Sequence, residues 1–281
     1  MAKVDANVII VGGGIAGVSL AARLAGRAQL LERETLLAAH TTGRSAALFS
    51  QTYGNAFVRD LTRESRAVFE TPPEGFTQTP LLSLRPSLFV ARPADAPMLE
   101  QSLAENSRTM RALSQAEVLE KMPVLRAGVF STFAEEPGSM DIDVAALFDG
   151  FRRMALSAGA EISTDRAVTR LSREGGAWRA TMGDDSISGA VVVNAAGAWA
   201  GRIGLLAGLG DRGLMPLRRT IVAFDPPENA DVSGWMFVHD VGNAFYFKSD
   251  AGLVLASAEA ALAQPVNHRI RNAEALRRPA Y

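Results

Sequence analysis

The chain has 281 residues, of which 48% are apolar, and its formal net charge is −1 with an isoelectric point near 6.3. This is enough apolar material to build a sizeable core in one large or two ordinary domains. The balanced charge provides no basic field that would favour nucleic acid or anionic lipid as a partner. The absence of cysteine excludes disulfides, thiolate catalysis and cysteine-held metal sites, and it fits a reducing cytoplasm.

An uncharged apolar stretch from Val8 to Ala22 has the length of a secretory signal's core. Asp5 precedes it and four glycines interrupt it, and both features disfavour a targeting signal. At 15 residues it is also too short to span a bilayer. We therefore expect no transmembrane segment and a cytoplasmic location.

The chain begins with an alternation of strand and helix patterns. The β-branched run Val8–Val11 ends at a glycine, which is typical of a buried parallel strand. Residues Ile15–Ala25 predict a helix that Gly26 closes, and Ala28–Leu31 predicts the second strand. Together these elements predict a βαβ unit.

Helical patterns dominate the following segments. They predict a helix with Phe57, Leu61 and Val68 on one face, a helix over Met98–Leu113 with Pro97 in its first turn, a short helix opened by the capping box Ser114–Glu117, and a helix capped by Asp141 or Asp143 with Val144, Leu147, Phe148, Phe151 and Met154 on one face.

From Arg166 the apolar period changes to two. The predicted strands are Val168–Leu171, Trp178–Met182, Ile187–Asn194, Leu217–Phe224, Met236–His239, Ala244–Lys248 and Leu253–Ser257. A βαβ unit followed by such strands predicts an α/β fold, in which a Rossmann-type nucleotide domain is interleaved with a β-rich α+β domain.

The strongest local signal is the glycine-rich turn after the first predicted strand. Gly12 permits a tight turn, Gly14 lets the backbone approach a pyrophosphate, and Gly17 lets helix and strand pack closely. Glu32 lies 20 residues after Gly12, at the end of the second predicted strand, where a carboxylate can accept a ribose hydroxyl. The pattern predicts a dinucleotide site, the alternative being a chance glycine-rich turn, and it does not separate FAD from NAD.

Two further segments resemble the D-amino-acid oxidase superfamily of FAD-dependent oxidoreductases. His40–Ala47, followed by Tyr53-Gly54, resembles its flavin-contacting loop, and Val191–Trp199 resembles its later strand and turn. Within the superfamily the motifs Pro80–Ser83, Arg218-Arg219 and Phe245–Lys248 are most similar to those of bacterial D-arginine dehydrogenases.

The resemblance implies an FAD-dependent oxidation of the CH–NH2 group of a D-amino acid or related amine, giving a 2-oxo acid and ammonium. The flavin supplies the redox chemistry, and the protein supplies orientation and electrostatics. It also implies an FAD-binding domain of residues 1–85 and 141–210, a substrate domain of residues 86–140 and 211–266, and a non-family tail of residues 267–281.

The resemblance assigns a set of cofactor-binding residues. They are Gly12, Gly14, Ile15, Ala16, Gly17, Glu32, Arg33, Thr42, Gly43, Arg44, Ser45, Ala46, Ala47, Val168, Ala196 and Gly197. His40 does not match the flavin-tethering histidines of the superfamily, and we expect it to make local hydrogen bonds. Trp199 is expected to be a packing residue. No metal ligands are expected.

The substrate residues that the resemblance implies are Arg219, Tyr53 and Tyr246. A guanidinium can bind both oxygens of a substrate carboxylate, and a tyrosine offers an apolar wall with a hydroxyl donor. The alternative roles are a solvated strand arginine, with Arg218 facing the other way, and half-buried core tyrosines.

Two positions depart from the arginine-oxidising relatives. Leu48 stands where they carry a pocket histidine, and Ser87 stands where a glutamate pairs with a basic substrate side chain. A desolvated guanidinium without a counter-charge is costly. The departures therefore predict neutral or apolar substrates.

Two alternative functions stay open: an NAD-dependent dehydrogenase, and a catalytically weak or inactive flavoprotein remnant. The second is motivated by Asn267–Tyr281, a basic segment that departs from the resemblance, whereas the relatives continue beyond this point. The expectation is a chain that lacks the family's later segment, with incomplete FAD occupancy and low turnover. The electron acceptor is left open, and the substrate is the one small-molecule partner expected.

Overall fold

The computed structural model describes residues 6–24, 26–258 and 262–263. Within them the helices are α1 (Ile15–Arg23), α2 (Ala56–Glu70), α3 (Ala96–Glu105), α4 (Gln115–Lys121), α5 (Val144–Ser157) and α6 (Ala200–Leu206), with 3-10 turns at Thr42–Arg44 and Gly197–Trp199. The strands are β1 (Ala6–Val11), β2 (Ala28–Leu31), β3 (Leu48–Phe49), β4 (Leu82–Leu84), β5 (Ser87–Ala91), β6 (Arg111–Ala112), β7 (Thr132–Glu136), β8 (Met140–Ile142), β9 (Glu161–Ser163), β10 (Arg170–Glu174), β11 (Ala177–Met182), β12 (Asp185–Asn194), β13 (Leu217–Arg218), β14 (Val222–Phe224), β15 (Phe237–Asp240), β16 (Phe245–Asp250), β17 (Leu253–Ala258) and β18 (Leu262–Ala263).

A six-stranded sheet with the order β10-β11-β12-β1-β2-β9 contains the opening βαβ unit. Its inner strand β1 runs parallel to β2 and β12, and β2 runs parallel to β9. Ile9 and Ile10 are both fully buried on opposite faces of β1, one in a cluster with Leu171 and Ile203, the other against Val18 of α1. Both faces are covered, which explains why β1 is a continuous apolar run.

The second large sheet has seven strands, in the order β14-β17-β16-β15-β5-β7-β6. Leu88 of β5 and Val238 of β15 are paired and lie in its main apolar cluster. Because side chains alternate along a strand, their neighbours point to the opposite side of the sheet. We call that side the polar face and define it by Ser87, Glu136, His239, Tyr246 and Lys248, which strand pairing and alternation place together.

A third, small sheet has the order β3-β8-β4. Along the chain, its strands lie near the points where the sequence passes from one large sheet to the other. The small sheet carries a partly buried ion cluster in which Asp141 of β8 accepts from Arg85 Nε at 2.7 Å and from Lys248 Nζ at 2.9 Å. Arg85 also donates to the carbonyl of Trp235 and the hydroxyl of Ser249. The cluster therefore ties β8 and the β4–β5 connection to β16 of the larger sheet.

The predicted α/β class is confirmed, as are the capping box at Ser114 and the N-cap at Asp143. The helix predicted over 98–113 was wrong in its second half, because α3 ends at Glu105 and residues 111–112 form a strand instead. The strand predicted over 217–224 is broken into β13 and β14.

Helix α2 is confirmed, but none of its 15 residues, all of which the structure describes, is buried. Among the described helices, none is both long and apolar enough to cross a membrane. Residues 267–281, for which we expect a non-family tail, lie outside the described residues.

Replacing Asp141 with Ala should lower the free energy of unfolding by about 1–3 kcal/mol, because the buried Lys248 and the partly buried Arg85 would both lose their charged acceptor. Chemical denaturation followed by circular dichroism measures this loss. Asp60→Ala is the control, since Asp60 pairs with Arg63 on the exposed side of α2 and should contribute less than about 1 kcal/mol. Equal losses in the two variants would contradict a structural role for the cluster.

Candidate functional site

The turn between β1 and α1 is built on two close backbone approaches. Gly12 has a φ of +119°, and a Cβ at this position would lie 2.2 Å from the carbonyl oxygen of Ala195. A Cβ on Gly17 would lie 1.9 Å from the carbonyl oxygen of Gly12. Both positions therefore require glycine, and the roles predicted for a tight turn and for close helix–strand packing are what the geometry provides.

Gly14 has a different reason to lack a side chain. A Cβ there would meet only the hydroxyl oxygen of Thr42 within 4 Å among the described residues, at 3.2 Å. Gly14 lies on a cavity of about 350 Å³ whose wall also includes Gly12, Glu32 and Ala196. The missing side chain thus leaves ligand space open at the start of α1.

Glu32 is held rigidly at the end of β2, with only 8% of its surface exposed. One carboxylate oxygen accepts the Gly13 N–H at 2.7 Å, and the other accepts the Glu34 N–H at 2.9 Å. The carboxylate therefore stabilises the glycine-rich turn through the hydrogen bond to Gly13. Each oxygen keeps acceptor capacity for a further donor, such as a ribose hydroxyl.

The amino-terminal end of α1 faces the same cavity. Ile15 N–H donates to the Thr42 hydroxyl at 3.1 Å, and Gly14 caps the helix without a side-chain hydrogen bond. Free helix N–H groups and the positive end of the helix dipole favour an anion here. Arg33 and Arg202 on the cavity wall add positive charge.

A cluster of four side chains stands at the cavity wall beside Glu32. The guanidinium of Arg33 lies over the indole of Trp199, 4.8 Å from its centroid, and His40 contacts the same indole with a centroid distance of 4.6 Å. Glu34 binds both Arg33 Nε and His40 Nε2 at 3.0 Å. His40 thus makes the local hydrogen bond that we expect, whereas Trp199 both packs and lines the cavity.

The structure brings about half of the expected cofactor residues onto this cavity: Gly12, Gly14, Glu32, Arg33, Thr42, Val168, Ala196 and Gly197. Ile15, Ala16 and Gly17 lie in α1 just behind the turn. Gly43, Arg44, Ser45, Ala46 and Ala47 follow Thr42 along the chain, with the first three of them exposed, and do not line the cavity. Sequence reasoning did not assign Trp199 or Arg202 to the cavity, although Trp199 lies two residues after Gly197 and Arg202 lies in the helix that follows.

On the polar face, Tyr246 lies directly across from His239 in the pairing of β16 with β15, and it stacks on Phe237. Burial is the main cause that lowers the pKa of His239, and the positive charge of Arg219 lowers it further, while Asn243 and Asp240 act in the opposite direction. His239 was not among the expected site residues, because nothing local in the sequence shows which strands pair.

The other expected substrate residues differ widely in burial. Tyr53 is 67% exposed, Leu48 is half-buried in β3, and Arg219 is exposed. Ser87 is fully buried on the polar face, where its hydroxyl is bonded to that of Ser139 at 2.8 Å.

Comparison with known proteins identifies the class to which this arrangement belongs. Residues 7–278 match the family model described as DAO, FAD dependent oxidoreductase. The matched range covers both large sheets and extends into the segment 267–281.

Three individual proteins that resemble this chain share only 18–26% sequence identity with it. The chain is 26% identical over 230 residues to mouse mitochondrial dimethylglycine dehydrogenase, covering 78% of this chain and 26% of that protein. It therefore spans about a quarter of that relative's length. The fold is similar to glycine oxidase from Geobacillus kaustophilus, with a TM-score of 0.78, 20% identity, and coverage of 94% of this chain and 74% of that one. L-proline dehydrogenase from P. horikoshii gives a TM-score of 0.79, with 18% identity and coverage of 98% and 75%.

The cofactor of this chain is FAD, and the residues of the cavity fit it. The glycine turn and the start of α1 would hold the pyrophosphate, and Glu32 would accept from the ribose hydroxyls. Val168 and the Arg33–Trp199 pair stand on the wall where the adenosine half would lie.

Replacing Gly14 with Val should weaken FAD binding at least about tenfold while the fold persists, because the new side chain fills the pyrophosphate space. Absorbance of protein-bound flavin after desalting measures this loss. Gly17→Ala is the contrasting variant, because its Cβ would strike the Gly12 carbonyl and should destabilise the fold itself by about 1–3 kcal/mol. Full flavin occupancy in Gly14→Val would contradict the placement of the pyrophosphate.

Proposed function

The chain belongs to the FAD-dependent oxidoreductase family, and we propose that it oxidises the CH–NH2 group of a D-amino acid or related amine to a 2-oxo acid and ammonium. The observation that carries the amino-acid assignment is the match to the FAD-dependent oxidoreductase family over residues 7–278. Tyr246, which stacks on Phe237, offers an aromatic wall, and Arg219 is the cation that we assign to the substrate carboxylate. The redox half of the proposal is supported by the family match and the cavity built on the glycine turn.

Each residue has a defined task in this proposal. Arg219 binds the substrate carboxylate, and Tyr53 and Tyr246 flank the substrate and donate hydrogen bonds through their hydroxyls. FAD held at the glycine turn of Gly12 and Gly14 would supply the two-electron oxidation, by taking up a hydride from the carbon that carries the neutral amine. The imino acid that results is hydrolysed by water, and no side chain acts as a covalent nucleophile. This fits a chain that has no cysteine.

The side chain of the substrate is proposed to be neutral or apolar. Leu48 is aliphatic, and Ser87 turns its hydroxyl to Ser139, so neither offers a counter-charge to a basic group. A buried guanidinium without such a partner is unfavourable. The D-arginine dehydrogenases remain the subgroup that the motifs at residues 80–83 and 245–248 resemble, but these two positions argue for a different substrate.

The domain limits inferred from the sequence remain part of the proposal. The FAD-binding domain comprises residues 1–85 and 141–210, and the substrate domain comprises residues 86–140 and 211–266. The six-stranded sheet takes its strands from the first set and the seven-stranded sheet from the second, which supports this division. A cytoplasmic location is proposed from the absence of cysteine.

Among D-amino acids, neutral apolar substrates should give a kcat/KM at least about tenfold higher than D-arginine, because the pocket lacks a counter-charge. Turnover of paired D- and L-isomers, glycine and sarcosine by the FAD-loaded chain, with an artificial electron acceptor, measures this preference. A preference for the L-isomers would refute the assigned stereochemistry. No turnover of any member would favour the catalytically weak flavoprotein.

Replacing Arg219 with Met should raise KM for carboxylate substrates roughly 10- to 150-fold, the range expected for a lost charge-assisted hydrogen bond. The maximal rate should change less, because the carboxylate is bound in both the ground state and the transition state. Arg218→Met is the matched control, since Arg218 is its exposed neighbour and should change KM by less than about twofold. Equal kinetics for both variants would remove Arg219 from the site.

A further inference from the structure

A buried carboxylate outside the expected site residues, Glu136, contacts the segment that joins Leu48 to Tyr53. We infer that Glu136 is a positioning residue, which holds residues 50–52 so that Leu48 and Tyr53 stand correctly beside the substrate. We call residues 50–52 the anchored segment. The inference rests on the proposed function, because it concerns the substrate site of that reaction.

Every residue of the anchored segment donates to this one carboxylate. Ser50 Oγ donates to Oε2 at 2.6 Å, Thr52 Oγ1 donates to Oε2 at 2.8 Å, and the backbone N–H of Gln51 donates to Oε1 at 2.8 Å. The hydroxyls of Ser50 and Thr52 are also 3.1 Å apart. Three consecutive residues are thus fixed by a single group 84–86 positions away in the chain.

The burial of Glu136 makes these bonds important to the fold of the segment. Its residue is 1% exposed, and no Lys, Arg or His of the described part of the chain forms an ion pair with it. A buried charge without a cation must be stabilised by hydrogen bonds, and bonds to a charged acceptor are stronger than neutral ones. If the anchored segment moved away, the buried carboxyl group of Glu136 would lose all three of these hydrogen-bond donors.

The placement of Glu136 connects it to the substrate region. It lies on the polar face directly opposite Ser87 in the pairing of β7 with β5. Leu48 precedes the anchored segment and pairs with Asp141, which binds Lys248 two residues from Tyr246. These contacts fix the position of the anchored segment relative to the polar face, which also carries Tyr246.

The same position invites a different role, as a counter-charge for a basic substrate in place of the glutamate absent at Ser87. The geometry argues against it, because both carboxylate oxygens are already engaged by protein donors and almost none of the residue is exposed. A carboxylate that recognises a substrate cation must present an accessible oxygen. We therefore assign Glu136 to the protein's own loop.

The adjacent residue provides a matched control. Glu135 is 3% exposed on the same strand, but alternation directs it to the other side of the sheet, where it pairs with Lys121 and Arg111. Glu135→Gln and Glu136→Gln are therefore the same chemical change at neighbouring buried sites. Only Glu136→Gln changes the group that accepts hydrogen bonds from the anchored segment. The new glutamine amide has one acceptor oxygen where the carboxylate has two.

The experiment compares the FAD-loaded wild type with Glu136→Gln, Glu135→Gln and Thr52→Val. Glu136→Gln should lower kcat/KM for neutral and basic substrates alike by about tenfold or more, and Thr52→Val should lower it less. Hydrogen exchange measured by mass spectrometry should accelerate in the peptide covering residues 48–53 for Glu136→Gln. Glu135→Gln should leave both the kinetics and this exchange near the wild-type values.

The outcomes separate the alternatives. Equal effects of Glu135→Gln and Glu136→Gln on kinetics and exchange would overturn the inference in favour of general stability. Selective loss of activity toward D-arginine in Glu136→Gln would overturn it in favour of a substrate counter-charge. If the wild type oxidises no amine, the proposed function fails, and unchanged exchange at residues 48–53 in Glu136→Gln would still overturn the anchor. Should Glu136→Gln not fold, Thr52→Val tests the same contact from the loop side.

Discussion

The site depends on close backbone contacts at Gly12 and Gly17, where the absence of a side chain lets β1, α1 and the residue after β12 approach one another. Gly17 brings α1 against the carbonyl of Gly12, and Gly12 in turn lies against the carbonyl of Ala195. This contact fixes where β1, α1 and the end of β12 meet. With α1 in this position, the Gly13 N–H donates to Glu32 at the end of β2. The glycine turn and Glu32 then form part of the cavity lining.

A second level of organisation consists of two carboxylates, on β7 and β8, that bind donors from distant parts of the chain. Asp141 joins Arg85 and Lys248, and Glu136 gathers the donors of residues 50–52. Such groups are expensive to desolvate and are retained only where each oxygen finds a donor. Their directional bonds define the position of a loop more narrowly than apolar contacts, which tolerate sliding. The two carboxylates thus connect residues 50–52 to β7, and β8 to β16, the strand that carries Tyr246.

The sequence was sufficient to predict the features that depend on local pattern. The βαβ unit, the capping box at Ser114 and Glu32 at the end of β2 follow from spacing and propensity alone. The strands β5 and β7 were not predicted, since Glu135 and Glu136 resemble an exposed turn until their distant partners are known. The predicted helix over 98–113 continued too far because composition alone does not mark its end. Helix α3 stops before Asn106, whose side chain binds the carbonyl of Ser102.

Trp199 also has a consequence for how the molecule can be observed. Its indole stands on the cavity wall under the guanidinium of Arg33, whereas Trp235 is buried in the core of the other sheet and Trp178 lies on β11 against Arg173. A ligand bound in this cavity would therefore be expected to change the emission of Trp199. An adenine nucleotide that lacks the isoalloxazine ring can change this emission without absorbing visible light. On the proposed placement of FAD, the fluorescence of Trp199 would report on the adenosine end and the visible absorbance of the flavin on the other end.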